Sequence, residues 1–258
     1  MTGSTATATQ PPQINQIGLD DVFLSLREGF SDFTKAPMIG LFFGGFYTVG
    51  GLIILAALNY FDQTWMIFPV AIGFPLIGPF VAAGLYETSR RISAGEPIIW
   101  KQIFSVVFSQ REREMGWMAF VVLFIFWIWM YQIRLLTALF LGSQSMSSIE
   151  AFTDVITSTS DGLAYLATGT VVGGVLALVL FSTTVISMPL LMERSYDFVT
   201  ALVTSIRAVI TNPVPMLTFG FIVTVLAFIA LAPFFLGLLI VLPVLGHATW
   251  HLYKKVIS

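Results

Sequence analysis

His247 and His251 stand four residues apart near the C-terminus and are the only two histidines in 258 residues. On a helix this spacing projects both imidazoles from one face about 6 Å apart, which suits one corner of a metal site but not the two faces of a haem. A metal corner needs further ligands, and none of the apolar runs offers an Asp, Glu or Cys at comparable depth. The absence of cysteine also removes disulfides, thiolate metal centres, Cys nucleophiles and covalently attached haem. Beside Trp250, Tyr253, Lys254 and Lys255, the two histidines are expected to anchor a helix end at the membrane interface, with His247, Trp250, His251 and Tyr253 as the anchor set. No Ser-His-Asp order is expected, because the histidines and the acids of the outer loops lie on opposite sides of the membrane.

Arg134 is the one charge inside an apolar run, and an intramembrane charge is a functional candidate by default. It lies about two turns from the outer end of its run, within snorkelling reach of the surface. A salt bridge to Asp62, Glu150, Asp154 or Asp161 is therefore the first expectation, and a site for a substrate anion the second. Gly73, Pro75, Gly78 and Pro79 crowd the second apolar run. Two prolines four apart remove backbone donors and clash with the preceding turn, so this helix is expected to kink or unwind. Packing and curvature are the leading reading of that hinge; a solute pathway is the alternative, as no acid or His accompanies it to couple ions.

The elements carrying these residues follow from composition. Hydrophobic residues make up 57% of the chain and charged residues 10%, against roughly 25% charged in an average soluble domain. So much apolar surface must face lipid. A net charge of −2 gives no attraction to nucleic acid. The Thr-, Gln- and Pro-rich residues 1–18 read as a disordered tail and not as a signal peptide. Residues 19–258 read as one transmembrane domain with spans at about 38–58, 65–86, 116–141, 163–192, 214–232 and 234–253. The last two come from a 40-residue run, Val214 to Tyr253, without an acid, Lys or Arg, which is expected to turn near Ala232 and Pro233.

The spans follow from the apolar runs alone, and all but Arg134 of the 12 Lys and Arg fall on one side of them. The positive-inside rule then places both termini in the cytoplasm. Ahead of each pair of spans lies an apolar stripe at helical spacing: Leu19, Val22, Phe23, Leu26, Phe30 and Phe33; Ile99, Trp100, Ile103, Phe104 and Val107; Val199, Leu202, Val203, Ile206 and Ile210. In the first helix, Asp20, Asp21, Arg27, Glu28, Ser31 and Asp32 occupy the other face. The expected fold is all-α: six spans as three helical hairpins, each preceded by a cytoplasmic amphipathic helix, with either a true threefold repeat or ordinary membrane-helix prolines behind the similarity. The pairs Gly40-xxx-Gly44 and Gly169-xxx-Gly173 fit close helix contacts.

The runs DFTKAPMIGLFFGG (32–45) and GFPLIGPFVAAGLYETSRRISAGEP (73–97) resemble the signature of the Domain of Unknown Function 2189 family of predicted bacterial integral membrane proteins. The resemblance extends from about Leu19 through the sixth span, and MPLLMERSYDFVTALVTSIRAVITNP (188–213) also resembles wider groups of six-span proteins. It implies a six-helix protein of the bacterial inner membrane and supplies no catalytic residues. The expected function is a non-enzymatic accessory or scaffold protein without cofactor, whose partners are the bilayer and either another membrane complex or a second copy of itself. The alternative is a small-solute transporter or channel built on the broken second span.

Overall fold

The structure, a computed structural model, describes residues 12–60, 67–109, 114–142 and 149–258. Among these residues the secondary structure is helical apart from a single bridge between Ile14 and Ile257. In chain order the helices are α1 (Leu19–Lys35), α2 (Pro37–Tyr60), α3 (Ile67–Ala94), α4 (Trp100–Ser109) and α5 (Met115–Leu136), which continues into a π-helical turn, Thr137–Leu141. They are followed by α6 (Ile149–Ser158), α7 (Ser160–Thr184), α8 (Ser187–Glu193), α9 (Phe198–Thr211), α10 (Pro213–Leu231) and α11 (Leu238–Val256).

Local chemistry sets these boundaries. At the start of α1 the Asp21 carboxylate accepts from the Gly18 N–H at 2.9 Å, and Asp20 and Asp21 place negative charge at the positive end of the helix. Pro37 disfavours helical geometry at Ala36 and then opens α2, so the chain bends by 103° between the two helices. Asp197 caps α9 by accepting from the Thr200 N–H at 2.9 Å, and Pro213 opens α10.

Among the described residues, Met115–Leu141, Ser160–Glu193 and Pro213–Leu231 are long and apolar enough to cross a membrane, with mean hydropathies of 1.9, 2.2 and 2.4. Counting the bent pair α1 and α2 as one span would make a fourth. These three coincide with the spans expected at 116–141, 163–192 and 214–232. The span expected at 38–58 lies on α2, whose residues up to Ile53 count towards a span only together with α1, and the span expected at 65–86 lies on α3 from Ile67, with most of its side chains up to Pro79 outside the described set. The last expected span, 234–253, divides: residues 232–237 form a turn, and α11 is apolar only from Leu238 to Gly246 before His247 begins its polar half. The chain thus turns where Ala232 and Pro233 suggest. At this turn Phe234 and Phe235 adopt left-handed φ angles of 51° and 67°, a strained backbone for bulky residues. Phe235 seats its ring against Gly51 of α2, and its carbonyl accepts from Thr48 at 3.2 Å.

The chain forms two compact units, the described residues of Met1–Phe120 with Ser182–Ser258, and those of Val121–Phe181. In the first, α11 is the central element, packed by α1, α2 and α3. Gly29 permits the closest approach: a Cβ there would lie 2.5 Å from the Ala248 nitrogen and 2.7 Å from the Val244 carbonyl. Ala36, Ile39, Phe43, Val81, Leu85 and Ile103 close a core where α2, α3 and α4 meet. The segment before α1, read from sequence as part of a tail, is described from residue 12 and is tied down. Asn15 donates its N–H to Val256 at 2.8 Å, and the Asn212 carboxamide accepts from Ile17 and donates to the Asn15 carbonyl.

In the second unit α6 and α7 meet at a tight corner, where Gly162 lies against the Val155 carbonyl and Phe152 meets Tyr165 edge to face at 6.5 Å.

Candidate functional site

The stripe that α1 buries is not its most apolar one. Val22, Ser25, Gly29 and Asp32 face α11, while Leu19, Phe23 and Phe30 stand 43%, 57% and 56% exposed. Small residues let the backbones approach, and the approach carries Asp32 into the protein. It meets His251 of α11, whose Nε2 lies 2.7 Å from Oδ2. His251 Nδ1 lies 3.6 Å from Glu28, which also pairs with Lys255 at 2.5 Å. Lys35 stands 3.7 Å from Asp32 on the solvent side.

One turn earlier on α11, His247 has no exposed surface, and its Nδ1 lies 2.8 Å from the Ser89 hydroxyl of α3. Ser89 also helps to lower the Asp32 carboxyl. Burial alone would raise the Asp32 carboxyl, but the hydrogen bond and charge of His251, with Ser89 and His247 behind them, hold it below the usual aspartate range. Four polar side chains from α1, α3 and α11 thus form two neighbouring pairs, His251 with Asp32 and His247 with Ser89. Among the described residues His247 Nε2 and Trp250 Nε1 have no hydrogen-bond partner.

Two further ionic knots flank these pairs. Glu87 in the C-terminal part of α3 accepts from Arg90 at 2.8 Å and Arg91 at 2.6 Å, and Arg90 also reaches Glu96. The Glu87 and Glu96 hydrogen bonds raise the Arg90 guanidinium above its ordinary value, and the Arg90 bond lowers Glu96. On the other side Glu193 of α8 accepts from Tyr253 and, at 2.8 Å, from Lys254.

The residues expected as an interfacial anchor therefore turn into the protein: His247, Trp250 and Tyr253 are buried, and His251 is mostly so. The ring of Trp250 stacks on Tyr86 with centroids 6.3 Å apart. Ser89, whose hydroxyl meets His247, is wholly buried. Among the described residues no three His, Asp or Glu side chains group so as to hold a metal ion.

Sequence reading placed Asp32 on a solvated face and gave Ser89 no role. The available signal was the spacing Val22, Ser25, Gly29, Asp32, a stripe of helical period made of small and polar residues.

Arg134 is exposed on α5, and among the described residues no acid pairs with it; Asp154 and Asp161 do not, while Asp62 and the Glu150 side chain lie outside the described set. Gly73, Pro75, Gly78 and Pro79 lie on α3, which is helical from Ile67 to Ala94, so the backbone across the prolines is not unwound. A Cβ on Gly78 would come 3.1 Å from the Tyr47 hydroxyl of α2, and the side chains of Pro75 and Pro79 lie outside the described set. In the second unit a groove of about 250 Å³ runs between α5 and α7, with Trp129, Gln132, Leu136, Tyr165, Gly169 and Gly173 among its lining.

No curated protein and no solved structure matches the chain. A family model does match, more narrowly than the resemblance of the motifs, since the run at 32–45 and everything after Glu193 lie outside it. The match covers all of α3, with the Pro/Gly run and the Glu87 knot, and ends at the acid that holds Tyr253 and Lys254. Residues 67–193 match the model of the family described as Predicted integral membrane protein (DUF2189), and the chain is an integral membrane protein with several apolar helices.

Proposed function

We propose that this protein is a non-enzymatic scaffold of the bacterial inner membrane, with six spans and both termini in the cytoplasm, whose cytoplasmic helices lie on the inner leaflet. One observation carries the reading: two helices expected to be amphipathic bury their small and polar residues and leave apolar ones outside. In α1 the exposed residues are Leu19, Phe23 and Phe30; in α9, Ala201, Thr204, Ser205 and Ala208 are buried while Val199, Val203 and Ile210 are 54%, 39% and 71% exposed. An apolar stripe of this kind partitions into the headgroup and acyl boundary. The 103° bend after α1 supports this placement, because a helix nearly perpendicular to a span lies in the plane of the bilayer. The transporter alternative gains nothing from α3, whose continuous helix exposes no unwound carbonyls.

A photo-crosslinking residue placed at Phe23 or Ile210 in native membranes tests the reading. Phospholipid adducts are expected, with reporter fusions at Ser258 active in the cytoplasm. Adducts confined to one partner protein would move the occupant of these stripes from lipid to protein, and an externally active fusion at Ser258 would end the six-span reading.

A further inference from the structure

Most basic side chains of the described residues are held by carboxylates: Lys35 by Asp32, Arg90 and Arg91 by Glu87, Arg194 and Lys254 by Glu193, and Lys255 by Glu28. Among the described residues Arg27 of α1 and Arg207 of α9 meet no carboxylate, and both are exposed. They occupy the same place in two helices. Arg27 has Phe23 four residues before it and Phe30 three after it, Arg207 has Val203 and Ile210 at those positions, and all four apolar residues are exposed. These offsets are the surface neighbours of a helical residue, so each guanidinium stands within the apolar stripe of its helix. No acid lies three or four residues from either arginine, and Glu28, next to Arg27 in sequence, pairs with Lys255 of α11.

We propose that Arg27 and Arg207 each bind the phosphate of an anionic phospholipid of the inner leaflet, an inference that rests on the placement of α1 and α9 there. A stripe that partitions at the boundary of headgroups and acyl chains fixes the depth of every residue on it. From that depth an arginine stem runs along the apolar surface while its head reaches the phosphate level. The guanidinium is a rigid fork of five donors that matches two phosphate oxygens, and no carboxylate of the described residues competes for it. A zwitterionic headgroup brings its own cation to that phosphate. An anionic one does not, so the unpaired arginine favours it.

The distribution of the unpaired bases follows the same logic. Lys101 of α4 is likewise exposed and without a carboxylate among the described residues, so each of the three helices expected to be amphipathic carries one base of this kind. Lys101 is a point charge and lacks the fork, and the residue three after it, Phe104, is half-buried against Phe42 of α2. Arg134 is the other exposed base that no described acid meets, and it belongs to the second unit, on an apolar span. Only at Arg27 and Arg207 do an unpaired guanidinium and exposed apolar residues on both sides of it coincide.

Crosslinks to lipid can read the headgroup as well as the contact. Full-length protein with a photo-crosslinking residue at Phe23 or at Ile210 is reconstituted in nanodiscs of phosphatidylglycerol and phosphatidylcholine, in equal amounts and with the same acyl chains, and the adducts are identified by mass spectrometry. Phosphatidylglycerol is expected to exceed phosphatidylcholine about fivefold at each position, the equivalent of roughly 1 kcal/mol for one base near an anionic surface. Arg27→Gln should return the ratio at Phe23 to one and leave Ile210 unchanged. Arg207→Gln should do the reverse, so each variant keeps the other position as its control for folding. Equal adducts of the two lipids in the parent overturn the proposal while leaving α1 and α9 on the membrane. An enrichment at Phe23 that survives Arg27→Gln, or at Ile210 that survives Arg207→Gln, overturns it too. An absence of lipid adducts at both positions removes the placement of the helices itself, and the proposal with it.

Discussion

Two pairs of glycines with the same spacing behave differently. Gly40 and Gly44 of α2 are closely packed: a Cβ on Gly44 would be 2.9 Å from the Leu239 carbonyl of α11, and one on Gly40 would be 2.6 Å from the Phe33 ring of α1 and 3.2 Å from Pro243 of α11. Among the described residues Gly169 and Gly173 of α7 face open space, with only Leu136 at 3.8 Å from the first and nothing within 4 Å of the second. Small residues four apart permit close approach but do not cause it. In the first unit the approach is held by what surrounds it, above all the ion pairs and hydrogen bonds between α1 and α11 and the Phe235 plug at Gly51. In the second unit the corresponding glycines line a groove.

The sharpest way to break this contrast is to fill a glycine on the packed side. Gly29→Leu would drive a side chain into the backbone of Ala248 and Val244, which cannot rotate away. Overpacking of this kind costs about 1–3 kcal/mol in a core that can adjust, and a backbone contact belongs at or above the top of that range. The melting temperature in detergent should fall steeply, with residues 19–35 losing exchange protection first. A variant that melts with the parent would mean that α1 does not dock on α11 through this face.

Smaller, and informative about polar contacts, is the loss of Asp32. Removing one partner of a buried pair costs about 3–5 kcal/mol where the other charge stays buried, and less here because His251 keeps Glu28 nearby. Asp32→Ala is therefore expected to cost about 2–3 kcal/mol at neutral pH, on the scale of a lost hydrogen bond to a charged group. The sign with pH follows from the lowered carboxyl. The folded state binds fewer protons than the unfolded one, so the contribution of Asp32 is complete above the ordinary carboxylate value of 3.8 and is lost as pH falls through the lower folded value. Melting curves across the acid range should thus converge for the parent and Asp32→Ala. A gap that widens towards acid would contradict an ionised Asp32.

The sequence made the helices of this region legible but not their faces. Composition and periodicity placed helices at α1, α4 and α9 and a turn after α10 because these depend on neighbours in the chain. Which face of α1 is buried depends on α11, more than 200 residues away, and there the close approach of two backbones outweighs the burial of phenylalanines. A reading that assigns every carboxylate of an amphipathic helix to solvent loses Asp32 for that reason. In α4 the expected stripe does point inward at Ile103, where core partners on α2 and α3 are available to it.

The smallest effect is expected on the open side, and it tests whether the groove glycines have any packing role. Gly173→Leu places its side chain where no atom lies within 4 Å of the new Cβ. No neighbour has to move, and the replacement removes the most flexible kind of helix residue, a gain of roughly 0.8 kcal/mol in helix propensity. The variant should melt at or slightly above the parent in detergent, while Gly44→Leu, with carbonyls of α11 at 2.9 and 3.0 Å, should melt below it. Equal destabilisation of both would show that α7 has a close neighbour in the folded protein that Gly169 and Gly173 serve, and the contrast between the two glycine pairs would vanish. A stable Gly173→Leu beside an unstable Gly44→Leu fixes the difference where the physics puts it, in the backbone opposite each glycine and not in the spacing of the motif.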